Sequence, residues 1–215
     1  YDLAKGVKAF AVEISPLSLN KSSLPFQNLG YSRIIDQYLP EIYPGLRFTS
    51  IAVPNPHLIS FMDQNQIESN ILKEVGEYLN GDNPYFPDGV NVNFAQIIDK
   101  NKLFVRTYER GVGFTNACGT GMSATSLAFC FTHPDRGFFN QSIDVYNPGG
   151  KVQTIVHHEN HTYWIELIGN ATFTDQIEIS EADLHKGDFS SINITSTEEE
   201  SDFQNYIQNF HHFNN

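Results

Sequence analysis

"RTYERGVGFTNACGTGMSATSLAF", residues 106–129, puts a cysteine at the mouth of a glycine turn that runs into an apolar stretch. Beyond the turn, Met122, Ala124, Leu127, Ala128, Phe129, Cys130 and Phe131 are apolar nearly all round, which predicts a helix buried on most sides. His133-Pro134 closes it. Working outward, "VNVNFAQII" (90–98) and "KLFVRTYER" (102–110) are rich in branched and aromatic residues and read as paired strands joined by a short polar link. "LRFTSIAV" (46–53) reads as a strand that stops at Pro54. "KAFAVEI" (8–14) alternates Phe10, Val12 and Ile14 on one face, the pattern of a half-buried strand. "QIESNILKEVGEYL" (66–79) spaces Ile67, Ile71, Val75 and Tyr78–Leu79 as one helix. After the central helix come "SIDVYN", "KVQTIVHH" and "TYWIELIG", the first two joined by the turn "NPGG" (147–150), and then "QIEIS" (176–180) as a last strand. The fold class is therefore α+β, a mostly antiparallel mixed sheet wrapped around a buried central helix. From about 181 the chain turns polar and acidic, and Phe203, Ile207 and Phe210 share one face of a terminal amphipathic helix.

Composition narrows the function classes. The 215 residues suffice for one large domain or two small ones. A formal charge of −12 repels phosphate backbones, so nucleic acid is not an expected partner. Two cysteines make no disulfide framework, and a reducing, cytoplasmic setting is expected. No run of about 18 apolar residues is present, so no membrane span is expected. The chain begins at Tyr1 and enters a strand-like run almost at once, the expectation for a fragment or a processed product.

If "CGTG" opens the buried helix, Cys118 sits where backbone N–H groups have no internal partners and carry the positive end of the helix dipole. There a thiolate is favoured, and the thiol pKa is expected to fall. The same N–H groups can seat a carboxylate, and Gly119 and Gly121 leave the approach open. On the strand before it, Val105, Thr107 and Glu109 share one face, and Arg106, Tyr108 and Arg110 the other. Glu109 can accept or orient a thiol proton, and Arg110 offers a two-pronged clamp for a second carboxylate. Read from local pattern alone, Cys118 is equally a small buried apolar residue. Cys130, mid-helix, reads as structural, "ERG" alone as a solvated strand end, and His57 alone as a hydrogen-bonded loop residue.

Taken in order, these pieces resemble the diaminopimelate epimerase family. "VPNPHLISF" (53–61) is similar to its Asn-Pro-His loop and "FPDGVNVNF" (86–94) to its Asn-Val-x-Phe strand. "RTYERGVGFTNACGTG" (106–121) is similar to its Glu-Arg loop and catalytic cysteine segment. "NPGG" and "IELIGNA" (165–171) look like its closing strands. The resemblance runs from about residue 8 to 180 and is nearest to the forms found in lactobacilli. It implies an isomerase that needs no pyridoxal or other cofactor and no metal. Its members invert a stereocentre between LL- and meso-diaminopimelate, on the path to lysine and peptidoglycan. Two cysteines flank the α-carbon, one removing the α-proton as thiolate and one returning a proton as thiol. Carried over by motif, Cys118 resembles one catalytic cysteine, Glu109 the acidic residue that tunes it, and His57 the histidine that assists the opposite cysteine. Asn55, Asn91 and Arg110, with Glu109, resemble substrate-binding residues, Arg110 at the distal carboxylate. Gly119 and Thr120 resemble the residues whose amides hold the α-carboxylate.

The family also has a preceding domain with a second cysteine in a Cys-Gly-Asn-Gly turn, and nothing in this sequence matches it. Residues 1–180 are thus expected to be the C-terminal epimerase-like domain and 181–215 a polar acidic tail, with the N-terminal domain and its cysteine missing. Such a half-site is expected to be inactive alone, and its exposed cleft favours a homodimer. Two alternatives stand beside this reading: a related cofactor-independent amino-acid racemase, and a non-catalytic domain that keeps a relic site.

Overall fold

Residues 106–132 build the centre of the larger of two units much as their pattern predicts. The structure, a computed structural model, describes residues 2–4, 6–160 and 162–208. In chain order the elements are β1 (Asp2–Ala4), β2 (Val7–Ile14), β3 (Gln37–Tyr38), β4 (Arg47–Ala52), β5 (Pro56–Phe61), α1 (Gln64–Glu68), α2 (Ile71–Asn80), β6 (Asn91–Asp99), β7 (Lys102–Glu109), β8 (Gly113–Thr115) and α3 (Gly119–Thr132). They continue as β9 (Ser142–Asn147), β10 (Gly150–Glu159), β11 (Thr162–Asn170), β12 (Asp175–Glu178), α4 (Glu181–Lys186), β13 (Asn193–Ser196) and α5 (Glu200–Gln208). Two units separate, one of residues 11–168 and one of 1–10 with 169–215.

In the larger unit the strands run in the order β11-β10-β9-β7-β6-β5-β4-β3, with β8 on β7. The β5–β6 and β7–β9 pairs are parallel, and the other described pairs of this unit are antiparallel. The α3 helix touches β4, β5, β6, β7, β9 and β10, so the sheet wraps it. Its residues Gly121 to Cys130 are all buried. Ile51, Ile59, Ala95, Val105, Ile143, Val145, Val156 and Ile165 pack against Leu127, Phe129 and Cys130 as one apolar core. Four Ser and Thr hydroxyls inside this helix donate to carbonyls a turn back, and Ser126 Oγ also accepts from the Thr154 hydroxyl of β10 at 2.7 Å.

Alternation on β6 serves two layers. Val92 lies opposite Tyr108, whose ring covers Gly76 of α2, where a Cβ would stand 2.3 Å from the ring. Asn91, Asn93 and Ala95 therefore face α3. The strand is buried on both faces from Asn91 to Ala95, which is why it reads as nearly continuous rather than alternating.

Three sequence expectations need correction. The stretch 66–79 forms two helices, not one, because Ser69 and Asn70 adopt cap positions between them. Asp63 and Gln66 close a capping box on the first. On β2 the buried residues are Val7 and Ala9, whereas Phe10 and Val12 are 54% and 56% exposed, and of the expected face only the half-buried Ile14 packs against the core. The strand at 175–178 is not the last, since β13 pairs with it antiparallel, Ile177 opposite Ile194. The stretch from 181 carries a strand and two helices, α4 capped by Ser180 and closed by Gly187 at φ 65. Phe203 and Ile207 lie on α5, and Phe210 falls outside the described residues.

Among the described residues, no helix is long and apolar enough to cross a membrane. Among those residues no group of three or more His, Cys, Asp or Glu could hold a metal ion.

Candidate active site

Cys118 is the N-cap of α3, at φ −137 and ψ 103. Extended backbone at this position turns its side chain back over the first helical turn. Its Sγ accepts from the Gly121 N–H at 3.4 Å and lies 3.6 Å from Thr120 Oγ1. The thiol is 9% exposed, while Asn116 and Ala117 just before it are at the surface. The "NPGG" turn holds that loop in place, because the Gly149 N–H donates to the Asn116 carbonyl at 2.8 Å and Asn147 Oδ1 accepts from the same N–H. A Cβ on Gly149 would stand 3.1 Å from the Asn116 oxygen, so glycine permits the approach.

Electrostatics at the thiol overturn one expectation. The helix end does supply donors, and the Thr120 and Gly121 contacts lower the pKa. Burial outweighs them, and the nearby negative Glu109 adds to it, so the Cys118 pKa is raised rather than lowered. Cys118 rests as a protonated thiol. The Glu109 carboxylate is oriented by the Thr115 hydroxyl, which donates to it at 2.7 Å. The short strand β8 brings Thr115 there, pairing Glu109 with Gly113 and Thr107 with Thr115.

His57 is fully buried on β5, with its Nε2 3.3 Å from Asn55 Oδ1 and 3.2 Å from Thr120 Oγ1. Asn55 Nδ2 donates to Thr120 Oγ1 at 3.3 Å. Burial pushes the His57 pKa down to about 3, helped by the positive charge of Arg110 and opposed by the hydrogen bond to Asn93. The imidazole is therefore neutral across the physiological range. Cys118, Thr120, His57 and Asn55 form one connected group, with Glu109 facing the thiol.

Two predicted residues stand differently. Asn91 spends its amide on backbone, Oδ1 accepting from Arg110 N at 2.9 Å and Nδ2 donating to the Pro56 carbonyl at 3.2 Å. It ties the "NPH" turn to the "ER" turn. Arg110 is exposed, its Nη1 donating to the Asp88 carbonyl at 3.0 Å. Two further residues carry no role in the sequence reading, Asn93 and Thr107. They lie opposite one another on β6 and β7, and Thr107 Oγ1 donates to Asn93 Oδ1 at 2.9 Å. The signal for Asn93 is its spacing: it stands two residues after Asn91, on the same strand face, in an otherwise apolar run.

The sequence around this group is similar to those of known proteins. Residues 49–174 match the diaminopimelate epimerase family. The diaminopimelate epimerase of Ligilactobacillus salivarius is 47% identical over 97% of this chain and 65% of its own length. That of Enterococcus faecalis is 47% identical over 96% of this chain and 63% of its own length. The chain thus spans somewhat less than two thirds of these relatives. A solved phenazine biosynthesis protein of the PhzF family from Bacillus anthracis superposes on 79% of this chain and 60% of its own, at a TM-score of 0.51 and 12% identity, which is a likeness of fold. On sequence match across more than half its length, and on close relatives that cover nearly all of it, the chain belongs to the diaminopimelate epimerase family.

Proposed function

We propose that this chain supplies one wall of a pyridoxal-independent diaminopimelate epimerase site, with Cys118 as the acid–base group on one face of the α-carbon. The observation that carries the reading is the thiol at the α3 N-terminus, protonated by burial yet hydrogen-bonded as an acceptor by Gly121 and adjoined by Thr120. In one direction a thiolate on the far face takes the α-proton and becomes a thiol. The Cys118 S–H then gives its proton to the carbanion and becomes a thiolate. The reverse reaction exchanges these roles, and no net electron passes. The N–H groups of Gly119 and Thr120 hold the α-carboxylate, where charge develops as the proton leaves. Glu109 orients the thiol, Arg110 receives the distal carboxylate, and Asn55 and Asn91 frame the pocket between. His57 acts as a neutral hydrogen-bonding group. The opposing cysteine comes from polypeptide outside this sequence, as the incomplete span of the relatives supports. Alone, this chain does not turn over.

The test joins this chain to the part of the Ligilactobacillus salivarius relative that it does not match. An analogue of diaminopimelate with an electrophilic α-carbon is expected to modify Cys118 and leave Cys130 untouched, with excess diaminopimelate protecting. Modification of neither thiol, or of both alike, contradicts the proposal.

A further inference from the structure

Behind His57 runs a line of buried polar groups that the proton transfer itself does not use. It starts at Thr107 and Asn93, which are 4% and 0% exposed. Asn93 Nδ2 lies 3.3 Å from the Asn91 carbonyl, an oxygen that only accepts, and 3.0 Å from His57 Nδ1. Asn93 Oδ1 points the other way, to the Thr107 hydroxyl. The amide nitrogen therefore faces the imidazole, and an amide N–H can only donate. His57 Nδ1 must be the ring nitrogen without a proton, so the single proton of the neutral ring sits on Nε2. That N–H points to Thr120 Oγ1 and Asn55 Oδ1. Asn55 Nδ2 donates to the same threonine oxygen. With its oxygen accepting from both sides, Thr120 has its own hydrogen free for Cys118 Sγ.

We propose that Asn93 is a positioning residue: it fixes the His57 tautomer, and through that ring turns the Thr120 hydroxyl to donate to Cys118 Sγ. The inference deepens the acid–base reading of Cys118 and rests on it for its effect on turnover. The polarity of the whole line then ends at the sulfur, which accepts from Thr120 and from Gly121, and both contacts favour the thiolate form when the proton has left. Gly121 belongs to the same device. A Cβ there would stand 2.4 Å from Asn93 Oδ1, so only glycine lets the helix end close over the amide. If Asn93 merely fills a buried polar space, replacing it alters stability and leaves the ring proton and the sulfur unchanged.

The 215-residue chain itself permits the test. Long-range nitrogen–proton NMR of the unaltered protein is expected to show His57 protonated on Nε2, and a proton on Nδ1 overturns the proposal. Asn93→Asp presents an acceptor in place of the donor, so the ring proton should move to Nδ1. Thr120 then donates to Nε2, and the sulfur loses a donor. Cys118 alkylation at fixed pH should slow about tenfold. An added negative charge would also slow it, so the same substitution is made beside Thr120→Val. With no hydroxyl to turn, Asn93→Asp should slow alkylation by less than about twofold. Equal slowing in both backgrounds, or an unmoved ring proton, overturns the proposal. Where Asn93→Asp does not fold, the unaltered protein's NMR result still decides. The two readings fail separately. A correct tautomer and relay without α-proton exchange in the joined protein defeats the epimerase reading alone, and exchange with the ring proton on Nδ1 defeats this one alone.

Discussion

The α3 helix carries both cysteines of the chain, and its two ends treat them in opposite ways. Cys118 is the cap, touched by a hydroxyl and a backbone N–H, beside an exposed loop. Cys130 lies about three turns on, inside the apolar core with Phe129 and Leu127, and burial alone pushes its thiol up to about 12. Both thiols are buried and both pKa values are raised. The difference is that the N-terminal end opposes burial with donors and the C-terminal end does not. The same residue type thus has different surroundings at the two ends of the helix.

The largest expected effect is at the apolar end. Phe129→Ala should cost about 3–5 kcal/mol of stability, because the ring is fully buried against the sheet. Thr120→Ala, at the polar end, should cost about 1 kcal/mol. Denaturant titration of both variants checks this, and equal costs would erase the contrast.

Next in size is thiol chemistry. On the folded chain at mildly alkaline pH, Cys118 should alkylate at least about 100-fold faster than Cys130, since both the thiolate fraction and access favour it. Mass spectrometry of the peptides reads the ratio. The Cys118 rate should still be climbing with pH past the ordinary thiol range, because its pKa is raised. A Cys118 pKa below that of a free cysteine would contradict the account of burial outweighing the donors.

The last test is a pH slope. His57 has a folded pKa near 3 and an unfolded pKa of about 6.5, so between these values the unfolded chain binds a proton that the folded one refuses. Stability contributed by the neutral ring is complete above the unfolded value and is lost as pH falls toward 3. The slope from this group is up to about 1.4 kcal/mol per pH unit. His57→Gln should flatten the curve in that window, and an unchanged slope would show that His57 titrates normally.

Much of this architecture was legible in residues. The nearly all-round apolar run after Cys118 reads as a buried helix, and the branched runs before it as paired strands. Of the candidate site, the grouping was legible as far as motifs extend: Cys118, Thr120, His57 and Asn55 lie in contact. Three things were not. The break at Ser69–Asn70 rests on local capping that overrides a continuous apolar period. The direction of the Cys118 shift depends on how far the sulfur is desolvated, which a sequence does not record. Asn93 escaped because its role lies in what stands behind it, a cross-strand threonine and a ring nitrogen brought together by sheet register.

The central claim is that Cys118 moves the α-proton. In the joined protein placed in heavy water with diaminopimelate, proton NMR reads deuterium entering at the α-carbon. Exchange is expected with the unaltered chain, to fall at least about 1,000-fold with Cys118→Ala, and to stay within about twofold with Cys130→Ala. Exchange that survives loss of Cys118, or that disappears equally with loss of Cys130, contradicts the claim.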